Sequence, residues 1–399
     1  MSTTTTTRAG TSAIRKSLGG NLRQYGIIGA LLVIVLLFQV LTGGKLLLPN
    51  NLASLVQQNA YVMILAIGMV IVIVAGHIDL SVGSVVAFVG GVVALAMQSA
   101  GLPWLVAVLI GVALGALVGA WQGFWVAYVG IPAFIVTLAG MLIFRGLAII
   151  LVGVTVSGFP DSFVQISNGS LPNSFGYLAN RDIVTLLLGT LVIAAIVLSQ
   201  LRARRDLIKH DLRREPLGAL IGKLVLFSVL ISAVSWVLAG SRGGAPTVLL
   251  IVGFLIITYS FVMGRTVFGR HVYAIGGNLH AAILSGVNTR QVNFWIFVNM
   301  GALAGVAAIV TTSRAGAAVA AAGQNFELDA IAACFIGGTA VTGGIGRVSG
   351  AIVGALIMGV LNIGLSIMSV DPAWQQAIKG LVLLFAVAFD LINKRRGMR

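Results

Sequence analysis

The sequence is poor in charge: 9% of its 399 residues are Asp, Glu, Lys or Arg, whereas 58% are hydrophobic, and its mean hydropathy is +1.06. A soluble domain carries about 25% charged residues. This composition excludes a soluble globular protein and indicates an integral membrane protein. Glycine, by contrast, is abundant at 51 residues, as expected where helices pack closely in lipid.

Several chemical signatures are also missing. The single cysteine, Cys334, excludes a disulfide framework, and the four histidines are scattered without the spacing of a metal site. The run nearest to a Walker A motif, at 218–224, has the wrong spacing and a leucine in place of the Mg²⁺-binding Ser or Thr. G-x-S-x-G and H-E-x-x-H are absent as well, so a membrane-bound enzyme has no catalytic constellation. We predict no cofactor, no metal and no ATP hydrolysis by this chain.

The formal charge of +15 is concentrated in short stretches between apolar runs. They are the head before residue 25, the segment 202–214, the flanks of 265–290 and the tail from residue 394. This distribution is the one that the positive-inside rule produces, and it argues against nucleic-acid binding.

Apolar runs of the length needed to cross a bilayer recur along the whole chain. The predicted fold class is an all-α polytopic membrane protein with about 12 transmembrane segments and both termini cytoplasmic. The predicted spans are 25–42, 56–75, 82–98, 104–129, 132–153, 183–201, 217–239, 247–263, 291–312, 328–342, 349–370 and 374–392. The tenth is short and interrupted by glycines, so we expect a re-entrant or half-length segment. An even number of crossings keeps all four basic stretches on one side.

The predicted organisation is a disordered cytoplasmic head at 1–24, one transmembrane domain at 25–392 and a basic cytoplasmic tail at 393–399. Two cytoplasmic loops are expected at 202–216 and 264–290. An external segment, 154–182, is expected to hold a short surface helix or ordered loop. No polar stretch reaches the size of a core-forming unit. An energy source or a ligand-capturing domain therefore has to be another chain.

Ionisable residues inside spans usually face a bundle interior or an aqueous path. Arg145 lies within an apolar run, where an interior role competes with snorkelling to the outer surface. Asp79 and Ser81 lie between the second and third predicted spans. They are candidates for the translocation path, and either could also cap the helix that follows.

The remaining ionisable residues within or beside the spans are few. Lys223, Lys379 and Asp390 are the others that the pattern indicates, and the last two are predicted to be interfacial. This set is too sparse for a proton relay, so the pattern disfavours a proton-driven carrier. Glycines at 337–346 and 350–359 are typical either of helix packing or of broken helices.

The stretch from Arg265 to Gly286 is a polar, basic island between two apolar runs, yet it keeps aliphatic residues. Asn278 is expected to cap a short helix at 279–285 that Gly286 ends. Two interpretations fit such a helix: it lies in the membrane interface, or it docks into a groove of a partner protein. We favour the partner.

Four stretches make the chain resemble the permease subunits of bacterial ABC importers for monosaccharides, the ribose, galactose, arabinose and xylose group. They are GHIDLSVGS at 76–84, IPAFIVTLAGMLIFRGLAIIL at 131–151, GRHVYAIGGNLHAAILSGV at 269–287, and ELDAIAACFIGGTAVTGGIGRVSGAIVGALIMGVLNIGL at 327–365. An additional pair of spans around 202–216 makes the chain look most like the longer xylose-type permeases. The chain departs from the family pattern at His77, Gln122 and Ile283.

The resemblance implies a ten-span core and a permease that works as a pair. It also implies a separate ATPase subunit, often a fused double ATPase, and an extracytoplasmic protein that delivers the sugar. The implied ATPase-coupling loop contains seven candidate residues: Gly276, Gly277, Asn278, Ala281, Ala282, Ser285 and Gly286. The sequence therefore predicts the sugar-conducting permease of an ABC importer in a bacterial plasma membrane. The alternative is an ion- or proton-coupled transporter that acts alone.

Overall fold

The structure is a computed structural model that describes residues 26–212 and 216–397. The predicted head, 1–24, lies outside the described residues. In chain order, the first helices are α1 (Gly26–Leu41), α2 (Pro49–Val74), α3 (Val82–Gln98), α4 (Trp104–Phe124), continued by a π-helical turn at Trp125–Val129, and α5 (Ala133–Val152). The next part of the chain is the segment predicted to be external. It contains β1 (Thr155–Ser157), α6 (Asp161–Asn168), β2 (Tyr177–Leu178) and β3 (Arg181–Asp182).

The second half continues in the same helical style. Its elements are α7 (Ile183–Lys209), α8 (Leu217–Leu238), α9 (Val248–Arg265), α10 (Val267–Gly277), α11 (Leu279–Leu284), α12 (Thr289–Ala315), β4 (Ala317–Val319), α13 (Phe326–Ile336), α14 (Val348–Ile367) and α15 (Pro372–Gly397). The strands form two small antiparallel pairs, β1 with β4 and β2 with β3.

The fold class predicted from the sequence is confirmed. Among the described residues, eight helices are long and apolar enough to cross a membrane, and α1 and α3 are shorter apolar helices. Each of the twelve predicted spans coincides with a helix. Four boundaries differ clearly from the prediction. Helix α2 begins seven residues early at Pro49, and α13 ends at Ile336, six residues before the predicted limit. Helix α7 runs on to Lys209, into the predicted loop 202–216, and α15 runs on to Gly397, into the predicted tail. Both extensions consist mainly of Arg, Lys, Leu and Ile, which continue a helix readily outside the apolar zone.

Proline marks where the helices begin. Its fixed φ and missing N–H suit the first turn, where the N–H groups have no helical partner. Six of the eight prolines are the first residue of a helix or the residue just before it: Pro49, Pro103, Pro132, Pro160, Pro216 and Pro372.

Helix α2 is the central element and links the two ends of the bundle. Gln57, near its start, donates a hydrogen bond to the carbonyl of Asn168 at the end of α6, and we call this the α6 end. The carbonyl of Val74, its last residue, accepts from Gly344 beside α10, and we call this the α10 end. Helix α2 is buried along most of its length and packs against α9, α12, α13 and α14.

The tenth crossing is broken. Phe326, at the start of α13, stacks on Tyr61 near the α6 end, whereas Gly344 lies at the α10 end. Helix α13 has 11 residues, so it is only about 16 Å long at about 1.5 Å per residue. The chain from β4 to α14 therefore crosses the bundle as strand, short helix and loop, as the half-length prediction anticipated.

Helices α4 and α12 approach each other at backbone distance. Glycines at every fourth position of α4 face the backbone of α12, where two more glycines lie. A Cβ atom at Gly119 would overlap the carbonyl oxygen of Phe297, and one at Gly301 would overlap that of Gly115. The stripe consists of Gly111, Gly115, Gly119, Gly123, Gly301 and Gly305.

We expect Gly119→Leu to destabilise the folded bundle, because the new side chain forces α4 away from α12. Overpacking costs about 1–3 kcal/mol and more where backbone must move. The measurement is the apparent melting temperature of the detergent-solubilised chain. The matched control is Gly253→Leu in α9, where an added Cβ meets nothing within 4 Å. Equal melting temperatures for the two variants would contradict the close approach of α4 and α12.

Candidate functional site

Two non-helical segments meet inside the bundle. One is 75–81, between α2 and α3, and the other is 316–325, between α12 and α13. Gly83, in the first turn of α3 just after 75–81, touches Gly323 of the second segment, since a Cβ on either glycine would overlap the carbonyl oxygen of the other. Irregular backbone at membrane depth is tolerated where it is buried in protein or lines a water-filled cavity. This junction is therefore a candidate functional site.

Asp79 and Ser81 lie at this junction. Asp79 is 2% exposed, and its Oδ1 accepts from the Ser81 backbone N–H at 2.8 Å and from the Ser81 hydroxyl at 2.7 Å. Asp79 thus binds the N–H of Ser81, the residue before α3, and does not cap an N–H of the helix itself. The Ser81 side chain makes no cap hydrogen bond with α3.

Gln122 of α4 completes a hydrogen-bonded chain that the sequence analysis missed. Its Nε2 donates to the Ser81 hydroxyl at 2.7 Å, and that hydroxyl donates in turn to Asp79. Gly140 of α5 leaves room for the amide, because a Cβ there would lie 2.6 Å from Nε2. The available signal was that Gln122 departs from the pattern of the resembled family.

Arg145 points into the bundle. Its Nη1 donates to the backbone carbonyls of Ala320 and Ala322, at 2.9 and 2.7 Å. These two contacts to the second broken segment favour the interior role of Arg145 over snorkelling. Carbonyls in extended chain at this depth lack helical donors, and a long side chain with several N–H groups can supply them.

We expect Arg145→Gln to lower the stability of the bundle and to impair transport. Hydrogen bonds to a charged group contribute about 1.5–3 kcal/mol each. Stability is measured as a melting temperature in detergent, with Arg270→Gln as the control, since Arg270 is an exposed arginine of α10. An unchanged melting temperature for Arg145→Gln would mean that the two carbonyls do not depend on this side chain.

A second polar cluster joins α2, α13 and α15. The Asp329 carboxylate is buried, accepts from the Tyr61 hydroxyl at 2.8 Å and lies 3.3 Å from the Lys379 ammonium. Lys379 is partly exposed and turns towards this carboxylate, so it has a buried partner that the sequence analysis did not foresee. The sequence analysis did not single out Asp329, because an acidic residue in the first turn of a helix is common. The Asp390 side chain lies outside the described residues.

The predicted coupling segment folds as the helices α10 and α11. The Asn278 side chain accepts from the Ala281 N–H at 3.0 Å, so the predicted cap is confirmed. Gly286 has φ +81°, and its N–H and that of Val287 bond back to Ile283 and Ala282, which ends α11 in a Schellman motif.

Gly276 and Ala282 attach this segment to the bundle. A Cβ at Gly276 would overlap the carbonyl oxygen of Val74, and Ala282 is buried. The Tyr273 hydroxyl donates to the carbonyl of Gly346, and burial raises the pKa of this hydroxyl. The other predicted coupling residues are exposed: Gly277, Asn278, Ala281, Ser285 and Gly286.

The outer face of α11 is apolar. Leu279 and Ile283 are exposed, and Leu284 is exposed to 89%. In contrast to the buried junction, this segment presents its side chains outward at the α10 end. The structure thus does not bring the two groups of predicted site residues together: Asp79, Ser81 and Arg145 lie inside, and the coupling candidates form a surface. Within the described residues, no cluster of three or more His, Cys, Asp or Glu could hold a metal ion.

Comparison with known proteins identifies the family to which this chain belongs. The model of the family described as branched-chain amino acid transport system / permease component matches residues 51–387. The chain belongs to this permease family. It is a multi-pass protein of the plasma membrane.

Curated relatives match nearly the whole chain. The xylose transport system permease protein XylH of Escherichia coli K12 is 42% identical over 94% of this chain and 93% of its own length. The Haemophilus influenzae protein of the same name is 41% identical over 94% and 98%. The ribose import permease protein RbsC of Bacillus subtilis is 32% identical over 93% and 94%. The comparison with solved structures gives no match.

Proposed function

We propose that this chain is the membrane permease of an ABC importer for a monosaccharide, xylose or a related aldose. The observation that carries the proposal is the 42% identity to a xylose permease over 94% of the chain, against 32% for the ribose permeases. The polar junction around Asp79, Ser81 and Arg145 supports it, since a sugar route needs hydrogen-bonding groups within the apolar bundle.

The energy is supplied by a separate ATPase subunit, which we propose to be a fused double-domain protein. Helices α10 and α11 are its docking surface. The exposed leucines and isoleucine of α11 suit a hydrophobic groove better than water. Gly276 and Gly344 attach this surface directly to α2 and to the loop before α14, so a force on α11 reaches the central helix.

A second copy of the chain and an extracytoplasmic sugar-binding protein complete the assembly. The segment 154–182 is the proposed docking surface for the binding protein, because it covers the end of the bundle opposite to α11. Helix α6 is firmly held there: the Ser313 hydroxyl donates to the Phe163 carbonyl at 2.7 Å and accepts from the Ser167 N–H at 3.0 Å.

The test is sugar uptake by the chain reconstituted into liposomes. We expect xylose uptake only when the ATPase, ATP and the binding protein are all present. Uptake by the chain alone, driven by an ion or proton gradient, would instead establish the single-chain carrier. Uptake of ribose but not xylose would support the assignment as a sugar permease and contradict xylose as its substrate.

The docking surface makes a separate prediction. Ala281→Trp and Leu284→Asp should abolish co-purification of the ATPase and leave the melting temperature of the chain unchanged, since both positions are exposed. Ala282→Trp is the contrasting variant. Ala282 is buried, so the large ring should destabilise the chain itself. If the Leu284→Asp variant still binds the ATPase fully, α11 is not part of the interface with the ATPase.

A further inference from the structure

Two cavities flank one pair of stacked aromatic rings. The rings of Tyr61 and Phe326 lie 3.6 Å apart between centroids at an interplanar angle of 18°. A cavity of about 220 Å³, which we call the outer cavity, lies on the side of the α6 end, and a second of about 330 Å³, which we call the inner cavity, lies between α2, α13 and α15. Tyr61 lines both. The larger volume falls at the lower end of the range for ligand pockets, as suits a small molecule.

The outer cavity offers hydrogen-bonding groups, one of them unused. It is lined by Gln57, Gln58, Thr311 and Arg314. Nη1 of Arg314 lies 3.0 Å from the Asn168 side-chain oxygen and 3.4 Å from that of Gln57. The Thr311 hydroxyl is buried and has no hydrogen-bond partner among the described residues. A buried hydroxyl without a partner is unfavourable, so a polar guest would stabilise it.

The inner cavity is polar and close to neutral. Asp329 and Lys379 form the ion pair described above, and Gln324, Asn325 and Gln376 add amide groups. Paired opposite charges give donors and acceptors without a strong net field. That balance suits an uncharged polyol better than an anion or a cation.

We propose that the Tyr61–Phe326 pair and the Asp329–Lys379 pair form a monosaccharide subsite on the transport route. The sugar passes from the outer cavity to the inner one, with its apolar face on the Tyr61 ring and its hydroxyls bonded to the Asp329 carboxylate and the Lys379 ammonium. The Tyr61 ring borders both cavities, so it has to move aside during transport. The subsite rests on the proposed function. The rival explanation is a structural ion pair that only holds α15 against α13.

The first test uses the complete transporter in liposomes and measures sugar imported per ATP hydrolysed. Asp329→Asn and Tyr61→Phe should lower this ratio about tenfold, because the first removes the negative charge that binds hydroxyls and Lys379, and the second removes the hydrogen bond that orients the carboxylate. Stimulation of ATP hydrolysis by the binding protein should remain. A purely structural pair would lower assembly, ATP hydrolysis and uptake together, at an unchanged ratio.

Lysine removal has a matched control. Lys379→Gln should lower the ratio like Asp329→Asn, whereas Lys223→Gln should not. Lys223 lies within the spanning helix α8, and it lines neither cavity. An unchanged ratio in Lys379→Gln would overturn the subsite.

The second test asks whether sugar occupies the inner cavity. The native Cys334 is fully buried, so Gln376→Cys introduces one accessible thiol at the cavity wall. In the complete transporter with ATP, xylose should slow labelling by a hydrophilic thiol reagent severalfold, and sucrose should not. Labelling that xylose does not slow, in a transporter that imports xylose, overturns the subsite alone. Failure of the unaltered transporter to import any monosaccharide overturns the proposed function.

Discussion

Backbone hydrogen bonding in an apolar bundle is the constraint on which this structure depends. A helix satisfies its own N–H and C=O groups, but the segments 75–81 and 316–325 do not. The chain resolves this by bringing long side chains to them: Arg145 reaches two carbonyls of the second segment, and Asp79 accepts an N–H at the end of the first. The polar groups around these two segments therefore follow from the helix breaks.

Close packing of backbones is the second requirement. Lipid gives no hydrophobic force between helices, so association relies on van der Waals contact and hydrogen bonds. The glycines of α4 and α12 let the two backbones touch, and Gly83 and Gly323 do the same for the broken segments. Gly276 likewise lets the backbone of α10 touch that of α2, so the surface helices and the core form one packed body.

Local signals in the sequence predicted the local features well. Apolar run length predicted the spans, and Asn278 followed by Gly286 predicted the limits of α11. Contacts between distant residues were out of reach. Gln122 meets Ser81 across 41 residues, and Tyr61 meets Asp329 across 268, and no spacing rule links such pairs. The ion pair of Lys379 was missed for this reason, because a lysine near a helix end indicates snorkelling and gives no sign of the buried acid opposite.

The hairpin of α7 and α8 stands apart from this packed body, since α7 packs mainly on α8 and α8 on α2. Its two ends are fastened to each other: the Asp182 N–H donates to the Ala239 carbonyl at 2.8 Å, and the Ala245 N–H donates to the Thr185 hydroxyl at 2.7 Å. A chain that leaves and returns at one point can lose or exchange what lies between without rerouting the rest. The hairpin can thus be replaced or removed as a unit. A shortened permease, in which the chain before α7 is joined directly to the chain after α8, would keep its core intact.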